Sequence, residues 1–154
     1  MYKVATLWLV NQHGELLLAR RSDTKQHDPG LWAASAAGRI EAGESTEAAL
    51  LRETEEELGL KPETYQPVFL FKEKFLHPDG VPRLFSMYGA LVDKDITKLI
   101  HIDENEVAEI EWRSIAEVRK LLKTKPGELA PASAFELWEK VIAALQQEKL
   151  LVAE

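Results

Sequence analysis

The stretch RETEEELG, residues 52 to 59, places Glu53, Glu55, Glu56 and Glu57 within five consecutive positions behind a single arginine. On a helix that advances about 100° per residue, Glu53, Glu56 and Glu57 share one narrow face, while Glu55 points elsewhere. Residues three and four apart bring their Cβ atoms to roughly 5 to 6 Å, and each like-charge pair there costs a few tenths of a kcal/mol. Arg52 is the only basic residue of a helix expected over Thr46 to Leu58, so the spacing predicts no cationic partner on that face. Converging carboxylates without a partner suit a hard divalent cation, since Mg²⁺ takes oxygen ligands, keeps several waters and fills its remaining sites with substrate phosphates. A solvated acidic surface accounts for the trio alone equally well.

Composition narrows the setting. The chain has 154 residues, 45% of them hydrophobic, with 26 Asp and Glu against 19 Lys and Arg and a formal net charge of −7. That length and balance predict one domain over residues 1–154 with a substantial buried core. The negative charge argues against general binding to nucleic acid polymers or anionic membranes, which need a basic surface to displace counterions. An anionic small substrate then needs a local basic patch or a metal. With no cysteine, disulfides, thiolate zinc sites and cysteine nucleophiles are excluded. The apolar run Val4 to Val10 has no basic leader and is too short to span a bilayer, so neither a signal peptide nor a transmembrane helix is expected. The cytoplasm is the expected compartment.

The elements that must position the carboxylates follow from local patterns. Met1 to Asn11 and Glu15 to Arg21 read as strands of a hairpin around Gln12-His13-Gly14, and Ser22 to Gly30 as a loop. Leu31 to Ile40 reads as one strand. Ser45 can cap the helix Thr46 to Leu58, Gly59 is its natural stop and Pro62 bars continuation. Val68 to Leu76 and Leu84 to Val92 flank the turn His77-Pro78-Asp79-Gly80 as a second hairpin. Ala108 to Arg113 is a short strand, and Ser114 with Glu117 makes a capping box for a helix to about Lys123. After Pro126-Gly127, Ser133 with Glu136 is expected to start a last helix with Phe135, Trp138, Ile142 and Leu145 on one face. The irregular alternation predicts an α/β (α+β) fold, a mixed sheet covered by helices on both sides.

The segment GRIEAGESTEAALLRETEEELGL, residues 38 to 60, has Gly38, Glu44, Arg52-Glu53, Glu56-Glu57 and Gly59 at fixed spacing. It resembles the signature of the Nudix hydrolases at every charged and glycine position. With residue frequencies of roughly 5 to 10%, seven such positions agree by chance on the order of once in ten million windows or fewer. Thr54 stands where the family usually has an aliphatic residue. The resemblance implies the Nudix fold and a Mg²⁺ or Mn²⁺ cofactor held by Glu53, Glu56, Glu57 and the Gly38 carbonyl. It implies a further acid from a downstream loop, where Glu106, six before Trp112, competes with Glu104 and Asp103. Arg52 is expected to orient the carboxylates and Glu44 to stand behind them near the helix N-terminus. The implied chemistry is attack of a metal-activated water on phosphorus in a diphosphate. Glu53 is the first choice of general base, although family members differ in which acid serves, and Glu57 belongs to the same catalytic set.

Outside that box, LLLARRSDTKQHDPGLWAASAAG and APASAFELWEKV are similar to the isopentenyl diphosphate isomerase branch of the superfamily. That likeness implies that Arg21 and Lys25 contact a diphosphate; a solvated strand end is the plain alternative. The isomerase chemistry is missing from the matching positions. Ala37 replaces a cysteine acid, Arg39 a histidine, and Arg83 and Phe85 paired glutamates. His13, His27, His77 and His101 show no ligand spacing, Trp8 and Trp138 read as core and Trp32 as core or cleft wall. GRIEAGE lacks the Gly-Lys-Ser/Thr ending of a P-loop. The expected function is hydrolysis of a nucleoside diphosphate linked to some moiety X by a monomer or homodimer. A phosphoryl-ligand-binding module and, weakly, an isomerase are the alternatives. Substrate choice is expected to lie in the loops Asp23 to Pro29, His77 to Arg83 and Asp103 to Val107.

Overall fold

The first hairpin opens into a fork, and the fork positions the site. Strands β1 (Tyr2–Asn11) and β2 (Glu15–Arg21) meet at Val10 and Leu16, where the Asn11 side chain accepts the N–H groups of His13 and Glu15 to close the turn. Away from the turn they diverge. Into the gap runs the segment expected as one strand, which the structure, a computed structural model describing residues 1–131 and 134–152, resolves into two: β3 (Trp32–Ala33) and β4 (Ala36–Arg39). β3 pairs with β2, whereas β4 pairs with β1. The break falls at Ala34-Ser35. Ser35 is fully buried; its hydroxyl accepts the Leu9 N–H at 2.8 Å and donates to the Leu17 carbonyl at 2.7 Å, satisfying backbone groups that the diverging strands leave behind.

Helix α1 (Thr46–Leu58) has the expected bounds. The Ser45 hydroxyl accepts the Ala48 N–H, and Gly59 closes the helix in the left-handed region at φ 69°. Thr54 is buried, and its hydroxyl donates to the Leu50 carbonyl one turn back, so its polarity is satisfied inside the apolar face. β5 (Val68–Leu76) and β6 (Pro82–Val92) form the second hairpin, with β6 beginning two residues earlier than expected. β7 (Val107–Ser114) leads directly into α2 (Ile115–Thr124) through the capping box of Ser114 and Glu117.

The seven-stranded sheet has the order β3-β2-β1-β6-β5, with β4 paired to β1 and β7 to β2; β1 and β6 are parallel and the other pairs antiparallel. This is the expected mixed sheet. Both of its faces are covered, which explains the uninterrupted burial of β1 from Ala5 to Asn11. Ala5, Leu7 and Leu9 face α1 through Ala49, Leu50 and Leu58. Trp8 and Val10 face α2 and α3 (Phe135–Gln147), where Leu137, Trp138, Val141, Ile142 and Leu145 pack. Phe135 departs from expectation: it is 43% exposed, because the sheet selects the face built on Leu137 and Val141. The expected cap at Ser133 lies outside the described residues. Among the described residues no helix is long and apolar enough to cross a membrane.

Candidate active site

A cavity of about 600 Å³ opens between the start of β1, the end of α1 and the loops after β2 and β5. Glu53, Glu56 and Glu57 all line it, as do Gly38, Arg52, Glu106, Arg21 and Lys25. Glu55 turns away and pairs with Lys61 at 2.8 Å, as its helical angle predicts.

Glu57 reaches past the end of the fork. It is only 9% exposed, and its Oε1 accepts the Ala37 N–H at 3.0 Å, on the edge of β4 that no strand of the described residues covers. Burial pushes the Glu57 carboxyl up to about 8, and the neighbouring Glu53 and Glu106 push the same way against the Ala37 N–H and Lys25. Burial also raises Glu53, with Arg52 opposing. Glu53 lies against Gly38 so closely that a Cβ there would stand 2.0 Å from its Cδ. Gly38→Ala is therefore expected to swing the flexible Glu53 side chain out of place. The check is a loss of hydrolytic rate of roughly 10²-fold or more with a thermal midpoint near the parent's.

The expectation that no cation answers the acidic face is overturned. Arg52 bends back over it: Nη1 donates to Glu53 at 2.7 Å and reaches Glu56 at 3.4 Å, while Nε and Nη2 grip the two oxygens of Glu44 at 2.7 and 2.9 Å. Nη2 also donates to the Arg39 carbonyl at 3.1 Å. Helical spacing describes where Cβ atoms lie, and a guanidinium on a long stem reaches neighbours that the spacing excludes. Glu44 is held down to about 2, first by Arg52 and then by the Glu41 N–H.

Of the acids in the downstream loop, Glu106 lines the cleft, paired with Lys25. Asp103 instead ties the loop to α1: its N–H donates to the Glu57 carbonyl at 3.1 Å, and its side chain accepts the Asn105 N–H. Arg21 donates through Nε to the His27 carbonyl at 2.9 Å; burial lowers it, and Asp28, Glu57 and Glu106 hold it up.

Tyr2 and Arg39 escaped the sequence reading as cleft residues, whereas Asp28, His27, His77, Asp79 and Arg83 fall in loops expected to set substrate choice without being singled out there. The Arg39 guanidinium stacks 3.8 Å from the Tyr2 ring centre, with Arg83 5.0 Å from the same ring. Arg83 is buried and bidentate on Asp79 at 2.7 and 2.8 Å, which holds Asp79 well below the usual carboxylate range. His27 and His77 line the cleft too. His77 accepts the Asp79 N–H on Nδ1, which leaves Nε2 to donate to Asp28 at 3.0 Å. No local signal marks this group, because it depends on the register that sets Tyr2 beside Arg83 and Val4 beside Arg39.

Among the described residues no three His, Asp or Glu side chains are gathered tightly enough to hold an ion as they lie. Arg52, Lys25 and the Ala37 N–H currently engage them. The donor set nonetheless fits a hard cation: the acids are oxygen donors, and Glu57 is buried among like charges that raise its affinity for any positive species.

The NUDIX domain model matches residues 2–134. The chain is 32% identical over 127 residues to an isopentenyl-diphosphate Delta-isomerase of Citrobacter koseri, covering 80% of this chain and 68% of that protein. A MutT protein of Methanosarcina mazei superposes with a TM-score of 0.71 at 21% identity, covering 96% and 94% of the two chains. The NUDIX domain of Shewanella oneidensis NrtR, solved with ADP ribose, superposes at 0.70 with 20% identity, covering 94% and 88%. At these identities the solved structures speak for the fold.

Proposed function

The chain belongs to the NUDIX family, and from that premise we propose that it is a Mg²⁺- or Mn²⁺-dependent pyrophosphohydrolase acting on a nucleoside diphosphate linked to a moiety X. The observation that carries the reading is the convergence of Glu53, Glu57 and Glu106 on one cleft with Gly38 pressed against Glu53. ADP ribose bound to the NUDIX domain of NrtR supports the substrate class.

Glu53, Glu56, Glu57 and Glu106 with the Gly38 carbonyl are the residues that would hold the ion. When bound, a divalent ion acidifies water and offsets charge on the diphosphate. Glu53 takes the proton of the attacking water. Arg52 holds Glu53 and Glu44 in fixed orientation. Arg21 and Lys25 receive the diphosphate, Lys25 by exchanging Glu106 for a phosphate oxygen. The test is a screen of nucleotide sugars, dinucleoside polyphosphates, oxidised nucleotides and isoprenoid diphosphates with Mg²⁺ and Mn²⁺. Formation of phosphomonoester products, a nucleoside monophosphate and phosphorylated X that release phosphate only on later treatment with a phosphatase, is expected, and EDTA should abolish it with unchanged circular dichroism. Tight binding without turnover of any class would favour a binding module instead.

The likeness to isomerases does not extend to their chemistry. Ala37 has no proton to give, and the Arg83 guanidinium is committed to Asp79 and the Val81 carbonyl. Isopentenyl diphosphate is expected to show no conversion to dimethylallyl diphosphate by NMR; sustained conversion would require another acid and defeat the assignment.

A further inference from the structure

The cleft changes character along β1. Its side chains facing α3 run Tyr2, Val4, Thr6, Trp8, and across the parallel ladder Val4 stands beside Phe85 and Thr6 beside Met87. Tyr2 lies at the mouth under the Arg39 guanidinium, while Trp8, Met87, Leu137 and Trp138 close the inner end, all of them buried. The two indole N–H groups there are taken, Trp8 by the Met87 sulfur at 3.4 Å and Trp138 by the Ala130 carbonyl at 2.9 Å. Thr6 is different. It is 4% exposed, lines the cavity, and its Oγ1 has no hydrogen-bond partner among the described residues. It also sits opposite Ala37, whose N–H holds Glu57, so the Thr6 backbone stands about one strand spacing, ~5 Å, from the strand that meets the carboxylate site.

We propose that the inner end of the cleft seats the moiety X, that X is a compact and mainly apolar group bearing one oxygen, and that Thr6 selects it by donating its hydroxyl to that oxygen. The inference rests on the reading of the carboxylate mouth as the diphosphate site. A nucleobase is a poor occupant, because its edges carry several donors and acceptors that Trp8, Met87 and Leu137 leave unpaired, and burying such groups without partners is costly. A bare hydrocarbon is also second best, since it seals Thr6 Oγ1 away from water with nothing to bond. One apolar group with one acceptor satisfies the whole surface. The nucleoside then stays outward, toward Tyr2 and Arg39.

The test uses two hydrolysis-resistant probes of equal length, 4-hydroxybutyl and pentyl methylenediphosphonate, with α,β-methylene-ADP as the third arm. Binding to the whole chain in Mg²⁺ buffer is followed by calorimetry and by intrinsic tryptophan fluorescence, to which Trp8 and Trp138 contribute from the cleft wall. The parent is expected to bind the hydroxybutyl probe about tenfold more tightly than the pentyl probe, the scale of one hydrogen bond to a buried group. Thr6→Val should abolish that preference while keeping the fluorescence change, and Thr6→Ser should retain it. Binding of α,β-methylene-ADP should be the same in Thr6→Val as in the parent. Equal binding of the alkyl probes by the parent, a preference that survives Thr6→Val, no binding of either alkyl probe, or loss of α,β-methylene-ADP binding in Thr6→Val would each overturn the proposal. A parent that shows the preference but hydrolyses no diphosphate would sink the hydrolase reading and leave this one standing. Hydrolysis without the preference would do the reverse.

Discussion

Glu57→Gln is expected to move activity and stability in opposite directions. Activity should fall by roughly 10² to 10⁴, the range that general acid and base catalysis alone contributes, because the variant loses a charged oxygen at the centre of the acidic cleft. Stability should rise, and by an amount that depends on pH. In the folded chain burial lifts the Glu57 carboxyl to about 8 from its ordinary value of 4.5. Between those two values the folded state keeps the proton that the unfolded state gives up, so the parent without metal loses stability as pH climbs from about 4.5 to about 8. Glutamine does not ionise and can still accept the Ala37 N–H, so the variant should keep only the shallower slope that the raised Glu53 carboxyl supplies. Thermal melts in EDTA at pH 5 and pH 8 make the comparison: near-equal midpoints at the lower pH, and a clearly higher midpoint for the variant at the upper one. Added Mg²⁺ should raise the parent's midpoint at pH 8 and leave the variant's nearly unmoved. Glu55→Gln is the control. It removes only a solvent-exposed pair with Lys61, which contributes little to stability. If Glu57→Gln hydrolyses diphosphates at the parent's rate and shows the parent's melting slope, the acidic face is surface and the hydrolase assignment goes with it.

What could be read in the sequence was what local chemistry decides. Helix α1 was legible to the residue because Ser45 and Gly59 cap it with contacts four residues or fewer away. The facing set Glu53, Glu56 and Glu57, and the turning away of Glu55, followed from the helical angle. The strand over Leu31 to Ile40 was not legible as two strands, because the break at Ser35 answers Leu9 and Leu17, and the fork that exposes those groups is a tertiary feature. The outward turn of Phe135 has the same origin, since the face of α3 is selected by Trp8 and Met87 across the sheet. The cleft mouth was least legible. Tyr2, Arg39 and Arg83 come from three separate strands, and only the register of β1 against β4 and β6 gathers them. For Arg52 the helical spacing and the family resemblance pointed different ways: spacing excluded contact with the acidic face, the resemblance implied that Arg52 orients it, and the length of the side chain permits the contact that spacing denied.

That length makes Arg52→Lys the substitution that best separates charge from geometry. The guanidinium fork holds both oxygens of Glu44, one of Glu53 and the Arg39 carbonyl in a single plane of donors. A lysine keeps the positive charge at the same position but offers one compact centre, which can satisfy Glu44 or Glu53 and cannot fix both. If Arg52 acts only by neutralising like charges, Arg52→Lys should behave as the parent. If it acts by orienting Glu53 against Gly38, turnover or Mg²⁺ affinity should drop by about 10- to 100-fold, the usual cost of losing a residue that orients metal-binding side chains. We expect the second outcome, and with it a partial release of Glu44, whose carboxyl now sits at about 2 because of this arginine. The Glu44 carboxyl should then titrate closer to the ordinary glutamate range in Arg52→Lys, readable by NMR of the side-chain carboxyl. A variant that keeps both the parent's rate and the depressed Glu44 titration would show that a point charge is enough, and that Glu53 is held in place by its packing on Gly38 alone.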